Sequence, residues 1–253
     1  MAAFFPASVR AQKSAALEPV HRMEQRYRAA KTLQATFLET YTENGRTVRV
    51  ESGVAYFRRP GKMRWEYEAP EKDLFLVDGK TAWFYVPADH TVTRVPAKES
   101  ADWRTPLALL AGEAKVSRVC ERIEVAENEQ PENVNDALFK CVLRGAAGDK
   151  ASKTKTEVAS SNGSSKNSQA ADAQDSAANG QARTEDTVLL ELVRDTGELV
   201  RIIVREKGGV GVEFHFAQWR TDPVIAEALF HFAPPNGVAI VNGEVPAAGA
   251  SAQ

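Results

Sequence analysis

Histidines, cysteines and paired carboxylates are the residues of this chain that could bind a metal or break a bond, and they are few and scattered. The four histidines are His21, His90, His215 and His231. None stands in H-x-x-H or H-E-x-x-H spacing, so no helix offers two imidazoles to one zinc ion. His215 and His231 are each flanked by phenylalanines in strand-like sequence, which suits a solvent-facing or structurally bonded ring. The sequence holds no G-x-S-x-G elbow, phosphate-cradling loop or dinucleotide fingerprint. Gly208-Gly209-Val210-Gly211 is glycine-rich but opens no helix, and reads as a turn. Glu66 and Glu68 share one strand face, as carboxylates on solvated faces often do, and no nucleophile has a base beside it. The expectation is a protein that is not an enzyme, with no catalytic residue, metal or cofactor.

The cysteines, Cys120 and Cys141, form no C-x-x-C motif. Two readings stay open: two buried small apolar residues, or a disulfide between neighbouring antiparallel strands across the acidic loop from Glu127 to Asp136. An exported chain favours the bridge. It would close a loop of about twenty residues, for which chain entropy gives roughly 3 kcal/mol.

The stretch from Phe57 to Tyr67, FRRPGKMRWEY, mixes cations with large rings. Strand parity puts Ala55, Phe57 and Arg59 on one face, and Met63, Trp65 and Tyr67 on one face of the next strand. If those faces are concave, Arg59 projects from a strand end into an apolar interior. A guanidinium there needs acceptors, and carbonyls at a helix C-terminus would serve. The other reading is a solvated basic turn of Arg58, Arg59, Lys62 and Arg64.

These residues must be positioned by elements, and the elements read as mostly β. The net charge is formally -2, which excludes the strong positive field of a general nucleic-acid binder. No apolar run approaches the ~18 residues of a membrane-spanning helix. Met1 to Gln12 resembles the end of a signal peptide, so the expectation is an upstream start and an exported protein. The rival is a disordered N-terminus, and either reading covers residues 1–15.

From Ala16 to Leu38 apolar residues fall at three- and four-residue steps, predicting an amphipathic helix. Period two then takes over from Ala35, and strands recur at about ten-residue spacing, broken by turns such as Asn44-Gly45 and Asp78-Gly79. Pro106 to Gly112 predicts a short apolar helix. Val116 to Val125 and Ala137 to Arg144 predict strands, and Val188 to Trp219 predicts three more before a helical turn over Pro223 to Phe230. Residues 145–186 hold no aromatic residue and almost no aliphatic larger than alanine, so they read as a disordered low-complexity insertion. Residues 244–253 read as a frayed tail. The fold class is therefore mainly β with a helical lid. One strongly curved antiparallel sheet of about ten or eleven strands forms an unclosed β-barrel over residues 16–243. Short helices cover its apolar cavity.

Arg59-Pro60-Gly61-Lys62-Met63-Arg64-Trp65-Glu66-Tyr67, then Pro70, then Leu76-Val77-Asp78-Gly79-Lys80-Thr81-Ala82-Trp83-Phe84-Tyr85, resembles the LolA-type outer-membrane lipoprotein carrier family. Thr105-Pro106-Leu107-Ala108-Leu109-Leu110 is similar to its T-P-x-x-L-L helix, and Phe230 to Val238 (FHFAPPNGV) to its closing motif. The resemblance implies a periplasmic carrier that ferries lipoproteins, by their acyl chains, from an inner-membrane releasing transporter to an outer-membrane receptor. It implies that Arg59 latches the lid through backbone carbonyls. Phe57, Met63, Trp65, Tyr67, Leu109 and Leu110 are the candidate cavity residues. A single copy acting alone is expected. The insertion and the cysteine pair depart from the family pattern. They leave open a relative that senses lipid or lipoprotein and reports on envelope stress.

Overall fold

The computed structural model describes residues 15–97, 107, 110–111, 115–143, 187–206 and 208–243. The expected N-terminal leader, insertion and tail, and the candidate Leu109, lie outside the described residues.

Helix α1 (Glu18–Ala29) begins with a proline at its first positions, where a missing N–H costs nothing, and buries Pro19, Val20, Met23 and Tyr27. It ends nine residues before Leu38, where the helical pattern was expected to run. The backbone is extended at Ala30, and β1 (Thr32–Glu43) begins at once. Leu33 satisfies a helical and an alternating pattern alike. Alternation wins because Leu33, Ala35 and Phe37 all point inward, and β1 is paired along both edges.

A meander follows: β2 (Arg46–Arg58), β3 (Lys62–Ala69), β4 (Leu74–Asp78), β5 (Thr81–Val86) and β6 (Thr91–Pro96). The β1–β2 turn uses left-handed backbone at Asn44 and Gly45. Gly53 allows β2 and β3 to approach closely, since a Cβ there would stand 1.9 Å from the Glu66 carbonyl oxygen. A helical turn α2 (Val116–Val119) occupies the start of the expected Val116–Val125 strand. The Glu24 carboxylate explains the helical start: it accepts the Val116 N–H at 2.8 Å. The second meander is β7 (Cys120–Val125), β8 (Asp136–Leu143), β9 (Thr187–Val193), β10 (Leu199–Arg205) and β11 (Val210–Thr221). A 3-10 turn (Glu227–Phe230) leads to β12 (Ala239–Asn242).

All twelve strands form one sheet, in the order β12-β6-β5-β4-β3-β2-β1-β11-β10-β9-β8-β7. Among the described residues the count is twelve, against ten or eleven expected. The strand missed is β12, which is exposed throughout and so lacks the in-out alternation that marks the others. It pairs parallel with β6, while every other pair is antiparallel. The meanders join at β1–β11, from Leu33 opposite Thr221 to Glu43 opposite Val210. β12 and β7 are the two ends of the sheet, so the barrel is unclosed. One core fills its inner face and includes α1. Cys120 and Cys141 are joined by a disulfide between β7 and β8.

Candidate functional site

The inner face is floored with aromatic rings. Trp65 on β3 lies 4.8 Å from Phe37 on β1, 5.7 Å from Phe57 on β2 and 5.4 Å from Phe214 on β11, between ring centroids. Each comes from alternate positions of its strand, which is why one face collects them. Trp219 extends the floor towards α1, with its ring 5.1 Å from Tyr27. Most sheet cores pack against a second layer of comparable size; here α1 supplies the cover with Val20, Met23 and Tyr27, and Leu107, Leu110 and Ala111 are buried in the same core.

Contacts at both its body and its C-terminal end fix α1. Along its body it rests on the turn between β9 and β10. The Tyr27 hydroxyl accepts the Leu199 N–H at 2.9 Å, and Arg26 pairs with Glu198 at 2.7 Å. Gly197 admits the helix there, since a Cβ would sit 2.4 Å from the Met23 nitrogen. At its C-terminal end the Arg59 guanidinium donates from Nη2 to the Tyr27 carbonyl oxygen, one of the groups a helix end leaves without an internal partner. The same turn carries two backbone contacts: Arg59 N–H to the Lys31 carbonyl at 3.1 Å, and Gly61 N–H to the Ala111 carbonyl at 3.3 Å. So residues 59–61 touch both covering segments. The guanidinium is poorly served. Its Nε is buried without a partner, and burial, then the nearby Arg28 charge, lowers its pKa.

Its neighbours in the basic turn face outward. Arg58 and Lys62 both pair with Glu227, holding that carboxyl at about 2, and Arg64 donates to the Leu229 carbonyl at 3.1 Å. They strap the segment around the 3-10 turn onto the convex face. Arg59 is therefore set apart from the other three.

Further along β1 and β2 the inner face turns polar. Tyr67 donates its hydroxyl to Glu39 at 2.8 Å, and Arg49 pairs with Glu51 at 2.6 Å and Asp73 at 3.4 Å. Burial raises the pKa of both Glu51 and Asp73, and the Arg49 charge opposes it.

The convex face holds a buried arginine. Arg201 on β10 pairs with Glu191 at 2.6 Å, Glu132 at 3.0 Å and Glu213 at 3.2 Å. Burial pulls its pKa down, but the Glu191 hydrogen bond and the three carboxylate charges outweigh it and the net direction is up. His215 lies 2.6 Å from Glu213, which raises the imidazole pKa. The Glu132, Glu213 and His215 donor atoms lie within 4.8 Å of one another, a spacing a cation could use. Arg201 already stands against both of those carboxylates, so the set is an ion-pair cluster that fastens the acidic β7–β8 loop.

The candidates from sequence thus divide. Phe57, Met63, Trp65 and Tyr67 share the inner face, Leu110 is buried in the same core, and Arg59 closes its end. Phe37, Phe214, Phe216, Trp219 and Tyr27 were not singled out as lining. Their alternation, and for Tyr27 its helical stripe, is visible in the sequence, but the β1–β11 pairing is what brings Phe214 and Phe216 to Trp65, while Trp219 meets Tyr27 and Phe57.

Residues 28–140 match the model of the outer membrane lipoprotein carrier protein LolA family. An outer-membrane lipoprotein carrier protein of Nitrosospira multiformis is 36% identical over 125 residues, covering 46% of this chain and 59% of the relative. The chain thus spans less than two thirds of that relative. One of Chromobacterium violaceum is 28% identical over 221 residues, covering 85% and 83%. Among solved structures, an uncharacterized conserved protein of Thermus thermophilus aligns at 12% identity and a TM-score of 0.47, covering 90% of this chain and 99% of that one. With the ordered motifs from Arg59 to Val238, this match from the end of α1 to β8 makes the chain similar to the LolA-type outer-membrane lipoprotein carrier family.

Proposed function

We propose that the chain is a periplasmic carrier that binds lipoprotein acyl chains on its concave aromatic face and moves them from an inner-membrane releasing transporter to an outer-membrane receptor. It works by binding and release, with no bond made or broken. The observation that carries this reading is the cover of the aromatic floor: a helix, with its C-terminal end held by one arginine. Acyl chains gain ~0.8 kcal/mol for each CH₂ buried. Where they replace the Val20, Met23 and Tyr27 stripe, one apolar cover is exchanged for another. The exchange is nearly balanced, as a reversible carrier needs.

Arg59 acts as the latch. It holds α1 over the floor while the carrier is empty and lets go of the Tyr27 carbonyl when cargo enters. Purification from the native envelope followed by mass spectrometry of bound lipid tests the binding. Acylated peptide or lipid should co-purify, and a fluorescent fatty-acid probe should be displaced by it. If no acyl compound is bound and no probe is displaced, the carrier reading fails. Arg59→Leu should keep probe affinity within about twofold while transfer of lipoprotein to the receptor drops at least tenfold. Normal transfer by this variant would remove the latch.

A further inference from the structure

The described tryptophans differ in one respect. Trp83 donates its indole N–H to Asp78 at 3.3 Å, and Trp219 donates to the Leu199 carbonyl at 2.8 Å. Trp65, the most central of them, buries its Nε1 with no hydrogen-bond partner. The residue is 1% exposed. Its surroundings are the rings of Phe37, Phe57, Phe214 and Phe216, and its cross-strand neighbours are Ala55 and Phe75. None of these side chains carries an acceptor. A buried donor left without an acceptor costs about what a lost hydrogen bond does, and a phenylalanine would floor the face without that cost.

We propose that the Trp65 N–H recognises the carbonyl oxygen of a bound acyl group, an ester or an amide, and so selects acylated cargo over hydrocarbon of equal length. The proposal rests on the carrier reading and adds to it the identity of one polar contact. An ordered water is a poor alternative acceptor, because it needs two or more polar partners and the rings supply none. An anionic headgroup is no better. A single neutral donor among phenylalanines does not repay the desolvation of a full charge. An acyl carbonyl is uncharged, accepts strongly and is attached directly to the alkyl chain that the rings would bury. The contact would be made only in the loaded state, which accounts for a donor that is idle while α1 covers the face.

The test compares three soluble probes of matched chain length: dioctanoylglycerol, the corresponding diether, and a diamide analogue. The wild type should bind the ester or the amide about fivefold to tenfold more tightly than the diether, the worth of one hydrogen bond. The relative affinity of the two carbonyl probes then tells which source the site prefers. Trp65→Phe should lose that preference and bind the ester, the amide and the diether with about equal affinity. Equal affinity of wild type for all three probes overturns the proposal and leaves the carrier reading standing. Retained preference in Trp65→Phe overturns it as well. Failure of every probe to bind removes both. A second measurement needs no variant. In nitrogen-15 spectra of the wild type, the Trp65 indole N–H resonance should move downfield with the ester or amide and stay unmoved with the diether. The same shift with all three probes would count against the carbonyl contact, even if Trp65→Phe did not fold.

Discussion

Arg59 and Arg201 are both arginines drawn partly out of water, and they are held in opposite ways. Arg201, on the convex face, meets three carboxylates, and its charged form is stabilised. Arg59, at the end of the concave face, meets carbonyl oxygen at Tyr27, keeps one buried N–H idle, and has Arg28 nearby. Removing Arg201 would strand Glu191, which is fully buried. Removing Arg59 strands only a carbonyl at a helix end, which water can reach if the helix moves. The first arrangement suits a permanent fastening. The second suits a contact that must be broken and remade.

Arg201→Met gives the largest expected effect. Breaking a buried charge pair by removing one partner costs about 3–5 kcal/mol, and denaturant unfolding should show a loss of that order. A loss below about 1 kcal/mol would erase the contrast with Arg59. The disulfide belongs to the same permanent half. Replacing Cys120 and Cys141 by serine should cost roughly 3 kcal/mol, set by the 21-residue separation the bridge closes. Equal midpoints for the bridged and serine proteins would show that the β7–β8 edge does not need it.

Arg59→Leu should change global stability by only about 1 kcal/mol, yet speed amide exchange in the last turn of α1 at least tenfold. Exchange unchanged at α1 would show that the helix is held by its other contacts, with no part for Arg59. The smallest effect is that of pH on the Arg201 side. Glu213 raises His215, so this pair adds stability fully below the imidazole's ordinary 6.5 and loses it as pH rises through the higher folded value. His215 in turn lowers Glu213, whose contribution is present above 4.5 and lost as pH falls through the depressed folded value. The difference in stability between wild type and His215→Gln should therefore peak between about 4.5 and 6.5 and shrink on both sides. A difference that grows above neutral pH would contradict this.

Much of the fold is legible in local pattern. Alternation marks the strands because each neighbouring pair of side chains must point to opposite faces, wherever the strand ends up. The aromatic set at Phe57, Trp65 and Tyr67, and the strand-end position of Arg59, follow from that parity alone. Leu33 shows the limit. Its spacing fits a helix and a strand equally, and only pairing with both β2 and β11 decides it. β12 shows another. With no buried face it has no alternation to display, and its place beside β6 depends on the path of the chain across the convex side.

The sequence by itself determined which side chains share a face, where the turns fall, and that the basic turn ends a strand among apolar neighbours. These are short-range consequences of backbone geometry. Tertiary structure alone decided which faces meet. It set Phe214 against Trp65 and gave Arg201 its three carboxylates. It also brought the Tyr27 carbonyl, 32 residues away in sequence, to the Arg59 guanidinium. Periodicity is blind to such contacts, because they depend on register between strands and on where a helix ends, and both are settled only when the whole sheet curves around one core.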